Sequence, residues 1–482
     1  MRKILHNLLI LLGLLFLAVF SFTSCQEDTI NTNPDFRLVF SADTLRIDTI
    51  FTDKGSATYK LKVYNTSAQK AHISQIRLMD AVYFHLNVTG FAVDQMQDAY
   101  LNAHDSLLVF VQVHIDPTKD TTPFLVSDSI LFLLNGVQQW VYLEAYGQNA
   151  TRLNNLTITQ DTLLTNVLPY LIGDTLRVKQ GATLTLQPGA RLFFQKNAVL
   201  YVEGKLIAEG TWQQPIQLRG DRSDYMNTIP PLSYDLCSGQ WGGMVIAKGS
   251  FGNRLVHADV RNGNFGIRVD STDTQQMALY MESSMLRNVV GNLLEVTNAK
   301  VEVNNSLLYN AGGYVLALCG GEYSWTHCTF ANYYSFAWGG REMPILLYSN
   351  ILQGEAGEQV LPFTSHMYNS IVYGSYTTEL QYKLHESTPA DAYVFSNCLL
   401  RIRIKEIDNP PYNMCVFNSD PLYTFQQQSD VAPHVYDFTL QSGSGAIGIG
   451  ATQYANPFPL DLNGNKRATD GMPDAGCYEY VE

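Results

Sequence analysis

A five-residue pattern recurs through the middle of this chain at a fixed interval. Ser284-Met285-Leu286-Arg287-Asn288, Ser306-Leu307-Leu308-Tyr309-Asn310, Cys328-Thr329-Phe330-Ala331-Asn332 and Asn350-Ile351-Leu352-Gln353-Gly354 begin 22 residues apart. Looser copies flank them. Ala258-Asp259-Val260-Arg261-Asn262 lies 26 residues earlier, and Ser370-Ile371-Val372-Tyr373-Gly374 and Cys398-Leu399-Leu400-Arg401 begin 20 and 28 residues later. Short apolar runs at a constant period, each closing on Asn or Gly, predict a solenoid in which every coil lays a strand beside the previous one. Asn and Gly tolerate the left-handed backbone that sharp turns between strands require. Asn288, Asn310 and Asn332 are expected to stack as a hydrogen-bonded ladder. A leucine-rich repeat needs LxxLxLxxN, and no coil carries it.

This pattern resembles the right-handed parallel β-helices of the pectate-lyase-like superfamily. The entry to the repeat body agrees: Gly181-Ala182-Thr183-Leu184-Thr185-Leu186-Gln187-Pro188-Gly189-Ala190 leads to Leu200-Tyr201-Val202-Glu203-Gly204-Lys205-Leu206-Ile207-Ala208-Glu209-Gly210 and Pro215-Ile216-Gln217-Leu218. These runs resemble the first coils of bacterial surface β-helix proteins. The closing segments Asp461-Leu462-Asn463-Gly464-Asn465-Lys466-Arg467 and Asp474-Ala475-Gly476-Cys477-Tyr478-Glu479-Tyr480 resemble the choice-of-anchor-type C-terminus of such proteins. The expected fold is therefore all-β, with a right-handed parallel β-helix over 151–420 and a C-terminal cap over 421–482. Asp461 to Asn465 lacks the Gly and bidentate Glu of a calcium loop, so a tight turn pinned by an Arg467–Asp474 pair is expected instead.

Residues 37–150 follow another rhythm. Thr58-Tyr59-Lys60-Leu61-Lys62-Val63-Tyr64 alternates polar and apolar, as a half-buried strand does. Further runs at 107–115, 129–134 and 139–146 are separated by Asn65-Thr66-Ser67, Asp116-Pro117 and Asn135-Gly136. Asn-Gly between apolar runs is a strong hairpin signal. An antiparallel β-sandwich is expected. The stretches Val63–Ser67 and Val141–Gly147 resemble Ig-like domains of the Hydin type, which implies a spacer or adhesion module.

At the N-terminus, Arg2 and Lys3 precede an apolar run that ends at Phe22-Thr23-Ser24-Cys25, the layout of a secretory signal over residues 1–24. The placement of Cys25 resembles a bacterial lipobox, with Phe22 where the pattern has Leu, as in Bacteroidetes-type signals. The resemblance implies a lipidated, palmitate-carrying Cys25, and Gln26-Glu27-Asp28 resembles the acidic signal that sends such lipoproteins to the cell-surface side of the outer membrane. Residues 25–36, polar and containing Pro34, read as a tether. The remaining cysteines, Cys237, Cys319, Cys328, Cys398, Cys415 and Cys477, show no metal-ligand spacing and are expected to be mostly buried free thiols.

Chemistry is harder to find. The pectate-lyase-like superfamily includes polysaccharide lyases and glycoside hydrolases, whose sites place acids on neighbouring coils. In phase, Glu282 is followed by Asn304 and Thr326, Glu302 by Ser324 and Leu346, and Glu295 by Ala317, so no column pairs two carboxylates. No cofactor, metal site or nucleophile elbow is signalled. The formal net charge of −13 excludes a phosphate-binding surface and hence a nucleic-acid partner. Two clusters remain as binding candidates. Arg219, Asp221, Arg222 and Asp224 form the densest charge run of the repeat body. Tyr323, Trp325, Tyr333, Tyr334 and Trp338 suit a sugar or a protein if they are exposed on a flank. Asp followed by Ser or Thr at Asp28, Asp43, Asp48, Asp105, Asp120, Asp128, Asp161, Asp174 and Asp270 resembles a Bacteroidetes O-glycosylation sequon, or begins strands. The expectation is a non-enzymatic, surface-exposed outer-membrane lipoprotein. It would bind a glycan or serve as accessory subunit of an outer-membrane protein complex, with a lyase or hydrolase acting on acidic glycans as the alternative. Only 16% of residues are charged, and flat stacked sheets with Gly and Asn turns account for that.

Overall fold

The computed structural model describes residues 29–226, 232–270, 273–334, 340–354, 357–403, 411–425, 436–469 and 471–482. Signal, lipobox and Cys25 therefore lie outside the described residues, as do Asp28 and Trp338. Two compact units emerge, one ending at Gly147 and one running from Gln148, with Thr118–Thr122 belonging to the second.

The first unit holds two five-stranded sheets. One runs Val39–Phe40, Tyr59–Tyr64, Ser106–Val113, Phe84–Val88, Phe91–Ala92. The other runs Thr44–Phe51, Val137–Gln148, Phe124–Leu134, Ala71–Leu78, Gln95–Leu101. Alternation sends Leu61, Val63, Val109 and Phe84 from one sheet, and Ile73, Ile130, Phe132 and Val141 from the other, into a shared core. The hairpin joining Phe124–Leu134 to Val137–Gln148 turns at Asn135 and Gly136, both at positive φ (50° and 77°), as a two-residue turn matched to strand twist requires. Asp48, Asp105, Asp128 and Asp174 each accept the backbone N–H of the next residue at 2.7 Å; Asp105 and Asp174 do so just before the strands Ser106–Val113 and Leu176–Val178, whereas Asp48 and Asp128 lie within strands.

The second unit is a parallel β-helix. Its coils pass in turn through three parallel sheets of eleven, nine and ten strands, here sheets I, II and III. One coil is Leu307–Ala311 in sheet I, Leu316–Cys319 in sheet II and Gly321–Thr326 in sheet III. In-register pairing stacks like upon like. Leu192, Leu218, Val260, Leu286, Leu308, Phe330, Val372 and Leu400 form one continuous buried column through sheet I. The 22-residue repeat is the spacing of this column: Leu286 pairs with Leu308 and Leu308 with Phe330.

The fourth expected copy breaks it. Ile351–Gly354 pairs antiparallel with Gly357–Val360 in a hairpin inserted between sheets II and III. Thr329 is followed in sheet I by Ile371 instead. The insertion also places His366, not Leu346, next to Ser324 in the column that begins at Glu302. Asn288 and Asn310 adopt positive φ (58° and 60°), and Asn310 Nδ2 reaches Asn288 Oδ1 at 3.4 Å. Asn332 departs from the ladder and donates to the Ala311 carbonyl at 2.8 Å.

The turn from sheet III to sheet I repeats more strictly than the apolar run. His257, Ser283, Asn305, His327, Asn369 and Asn397 all take positive φ between 45° and 55°, coil after coil. After all of these but His257 the next position is Ser284, Ser306, Cys328, Ser370 or Cys398, and Cys415 follows Met414 (φ 53°); each Oγ or Sγ donates to the carbonyl two residues back. Ser284, Ser306 and Ser370 also accept a backbone N–H from the neighbouring coil. Cys328, Cys398 and Cys415 thus fill hydroxyl positions in a structural column, and all six described cysteines are free thiols.

The described part of 421–482 packs along the flank of sheet I. Leu307, Tyr309, Ile371, Tyr373 and Leu399 point outward from that sheet, and Tyr423, Phe438, Leu440, Leu462 and Cys477 cover them. Arg467 pairs with Glu479 (3.1 Å), not with Asp474, whose carboxylate accepts the N–H groups of Gly448 and Tyr480. Asp474 is equally deep, but backbone N–H groups occupy its carboxylate; the Arg467–Glu479 pair is almost fully buried, and Arg467 also donates to Asn305 Oδ1 at 2.6 Å.

Candidate binding groove

The III-to-I corner residues do more than turn the chain. Asn369 accepts the Ala451 N–H (2.8 Å) and donates to the Ala451 carbonyl (2.9 Å). Asn397 donates to the Ile449 carbonyl at 2.9 Å. His327 lies 3.3 Å from the Gly476 carbonyl through Nδ1 and 2.9 Å from Asn369 Nδ2 through Nε2. A carbonyl only accepts, so Nδ1 carries the proton and Nε2 accepts from Asn369. Burial, reinforced by the Arg467 guanidinium, holds this imidazole well below its usual pKa, with the Gly476 carbonyl acting the other way. With Arg467 on Asn305, four successive corner side chains clasp the C-terminal segment.

Two coils earlier the same corner is uncovered. His257 and Ser283 line a cleft whose opposite wall is Pro457 to Leu460 and Asn463, with a cavity of about 480 Å³ and an adjoining one of about 190 Å³. Between the strands Lys205–Glu209 and Ile216–Gly220 the chain makes a tight turn closed by mutual hydrogen bonds of Thr211 and Gln214 (3.1 Å each). That turn holds Trp212 out over the cleft, 52% exposed, and Leu460 on the far wall is 46% exposed. Large apolar side chains left this open on both sides of a cleft mark a recognition site more often than an accident of packing.

The polar lining is sparse and specific. Glu282 accepts the Tyr280 hydroxyl, and burial together with that bond pushes the Tyr280 phenol up. Burial lowers the His257 pKa, with Glu282 partly offsetting it. Asn305 donates to Ser283 Oγ at 3.0 Å, which leaves the Ser283 proton pointing elsewhere. The other carboxylates are committed. Asp461 accepts Asn463 N (2.9 Å), Asn465 N (2.7 Å), Asn465 Nδ2 (3.1 Å) and Glu479 N (2.9 Å). Asp259 is held by Arg261 and Arg287, which keep it at about 2 against the opposing effect of burial. Among the described lining residues there is no second free carboxylate and no Lys or Arg. Such a site can stack an apolar group and exchange hydrogen bonds; acid–base cleavage by paired carboxylates is not provided for.

The expected aromatic flank is mostly interior. Strand Gly321–Thr326 turns alternate side chains inward, and Tyr323 (1% exposed) and Trp325 (0%) fall on that parity. Trp325 donates to Ser365 Oγ (3.1 Å), which donates to Tyr348 (2.8 Å), all inside the coil. Tyr334 is buried, and Tyr333 packs edge-on against Tyr423 beneath the C-terminal segment. These are core residues, a correction to their reading as a binding face.

The charge run is largely self-neutralised. Arg219 pairs with Asp235 (2.8 Å), which also holds Arg261 (2.8 Å). Arg222 pairs with Asp224 and lies 3.6 Å above the Tyr234 ring. Asp221 and Arg222 do border a smaller cavity of about 290 Å³ with Lys196, Tyr234 and Cys237. In the first unit, Asp53, His114 and Asp116 bring potential ligand atoms within 4.8 Å, all exposed.

Trp212, His257 and Ser283 escape the motif search because they sit one position before the repeat, or in a turn between repeats. The signal was available: reading one residue ahead of each copy gives His257, Ser283, Asn305, His327 and Asn369 in phase.

No protein-family profile and no curated protein matches this chain. Solved structures align over about a quarter of it. A protein of unknown function from Porphyromonas gingivalis W83 is 7% identical with a TM-score of 0.18, covering 26% of this chain and 50% of that one. A family 123 glycoside hydrolase from Clostridium perfringens is 4% identical with a TM-score of 0.18, covering 25% and 30%. The PapD-like domain 7 of human CEP192 is 9% identical with a TM-score of 0.17, covering 26% and 94%. The chain thus spans half or less of the first two proteins, and similarity this low carries no functional argument.

Proposed function

We propose that this chain is a non-enzymatic binding module, lipid-anchored through Cys25 on the outer face of an outer membrane. In this reading residues 1–24 are the signal, 25–36 the tether and 37–150 an Ig-like spacer of the Hydin type. The right-handed β-helix of 151–420, with 421–482, presents the binding surface to an outer-membrane protein complex or a glycan. The observation that carries it is the cleft beside Trp212, with exposed apolar walls and a lining that offers hydrogen bonds while Asp259 and Asp461 are committed to Arg and N–H partners. The absence of Lys and Arg from that described lining disfavours acidic polysaccharides, and with them the lyase or hydrolase alternative.

Two experiments test this. Natively expressed protein should incorporate labelled palmitate, and Cys25→Ser should abolish incorporation and release the protein from membranes. Purified protein incubated with a panel of acidic polysaccharides should generate no unsaturated or reducing ends; their appearance refutes the non-enzymatic reading.

A further inference from the structure

We propose that the cleft beside Trp212 takes an extended polypeptide segment of a partner protein, neutral or basic in charge and recognised through its backbone amides. This rests on the reading of the cleft as a binding site and deepens it by naming the class of ligand.

The ground is what the same corner does on the following coils. Asn369 grips both polar groups of the Ala451 peptide unit, Asn397 takes the Ile449 carbonyl and His327 the Gly476 carbonyl. Every one of these bonds is side chain to backbone. The corner is thus a row of short polar side chains, all held at the same left-handed φ, that takes main-chain groups of non-helical stretches laid against it: Asn397 and Asn369 hold alternate residues of one stretch, Ile449 and Ala451, and His327 holds Gly476 of another. His257 and Ser283 belong to the same row, with φ of 46° and 48°. Among the described residues no main-chain group bonds to their side chains. The His257 imidazole has no hydrogen-bond partner among the described residues, and the Ser283 hydroxyl is used only as an acceptor for Asn305. The C-terminal segment withdraws from the corner here, and Pro457 to Leu460 form a wall instead of a lid.

The walls fix the rest. Trp212 and Leu460 offer apolar contact to alternate side chains of an extended strand, and the proline-rich wall has few N–H groups of its own to compete for its carbonyls. Glu282 and the absence of Lys and Arg from the lining repel an acidic segment.

Panning a random-peptide library on the purified full-length chain tests this, with a neutral-oligosaccharide array as a parallel arm. Enriched peptides should bind in fluorescence anisotropy, carry few acids, and lose about tenfold in affinity to Trp212→Ala and to His257→Gly. The second variant keeps a residue that tolerates the left-handed backbone. Methylating single backbone nitrogens of the peptide should cost a similar factor at alternate positions, a loss that side-chain-only recognition would not produce. Peptides that bind equally well to both variants, or whose N-methylated forms bind unchanged, overturn the proposal. Trp212-dependent binding of an oligosaccharide without peptide enrichment overturns it and leaves the cleft as a glycan site. If neither arm shows Trp212-dependent binding, the binding-site reading itself fails.

Discussion

Replacing Asn369 by glycine isolates the strength of the clasp that holds the C-terminal segment. Glycine accepts the φ of 45° without strain, so the corner itself survives; what disappears is the amide. That amide satisfies the Ala451 N–H and carbonyl and the Nε2 of His327. His327 is fully enclosed, while Ala451 is partly open and water can replace one of its bonds. Net loss for a bond that water replaces is about 1 kcal/mol, and a buried group left without a partner costs about 1–3 kcal/mol. The entropy of glycine adds about 0.5–1 kcal/mol to global instability and little to the local effect. The local penalty is therefore about 2 kcal/mol, or about 30-fold in the opening equilibrium. Hydrogen exchange read by mass spectrometry should find the Ala451 amide, and peptides spanning 445–456, exchanging faster by that factor. The column Leu308–Phe330–Val372 should stay as protected as before. Unchanged exchange at Ala451 would refute the claim that corner side chains hold this segment.

Further outcomes follow from the same coordinates. His327 has a folded-state pKa well below its ordinary value, so below about pH 6.5 the unfolded chain binds a proton that the folded chain does not. Its contribution is complete above that pH and declines as pH falls; thermal melts of the native chain should lose stability between pH 6.5 and 5, and His327→Asn should flatten that part of the profile. Phe330→Ala removes a ring from the middle of the sheet I column and should cost roughly 3–5 kcal/mol in denaturant unfolding. Glu479→Ala strands Arg467 in a buried site and should cost about 3–5 kcal/mol, more than the loss of any exposed ion pair such as Arg46–Glu144.

Much of the architecture could be read from the chain because a parallel β-helix writes its own period. Leu286, Leu308 and Phe330 announce one column at 22-residue spacing, and Asn135-Gly136 announces its hairpin. Reading failed where period and parity came apart. Asn350 to Gly354 looks like a coil and is an insertion, because an apolar run of a few residues carries no information about its partner strand. Tyr323 and Trp325 look like a binding surface and are core, because a coil interior this wide accepts large rings and a single strand does not say which parity faces in. The cleft depends on residues 212 and 460 facing one cavity from opposite sides, a sequence separation that no local pattern encodes.

A stack of coils touching only their neighbours would come apart progressively, each coil released by the loss of the one above it. The C-terminal segment, fastened through Arg467 to Asn305, Gly476 to His327, Ala451 to Asn369 and Ile449 to Asn397, changes that behaviour. It is a tie-rod across four successive coils, so none of them can fray alone without dragging on the others. Under mechanical load, this turns a zipper into a single unit. The force that peels the C-terminal segment should then set the limit for the whole body.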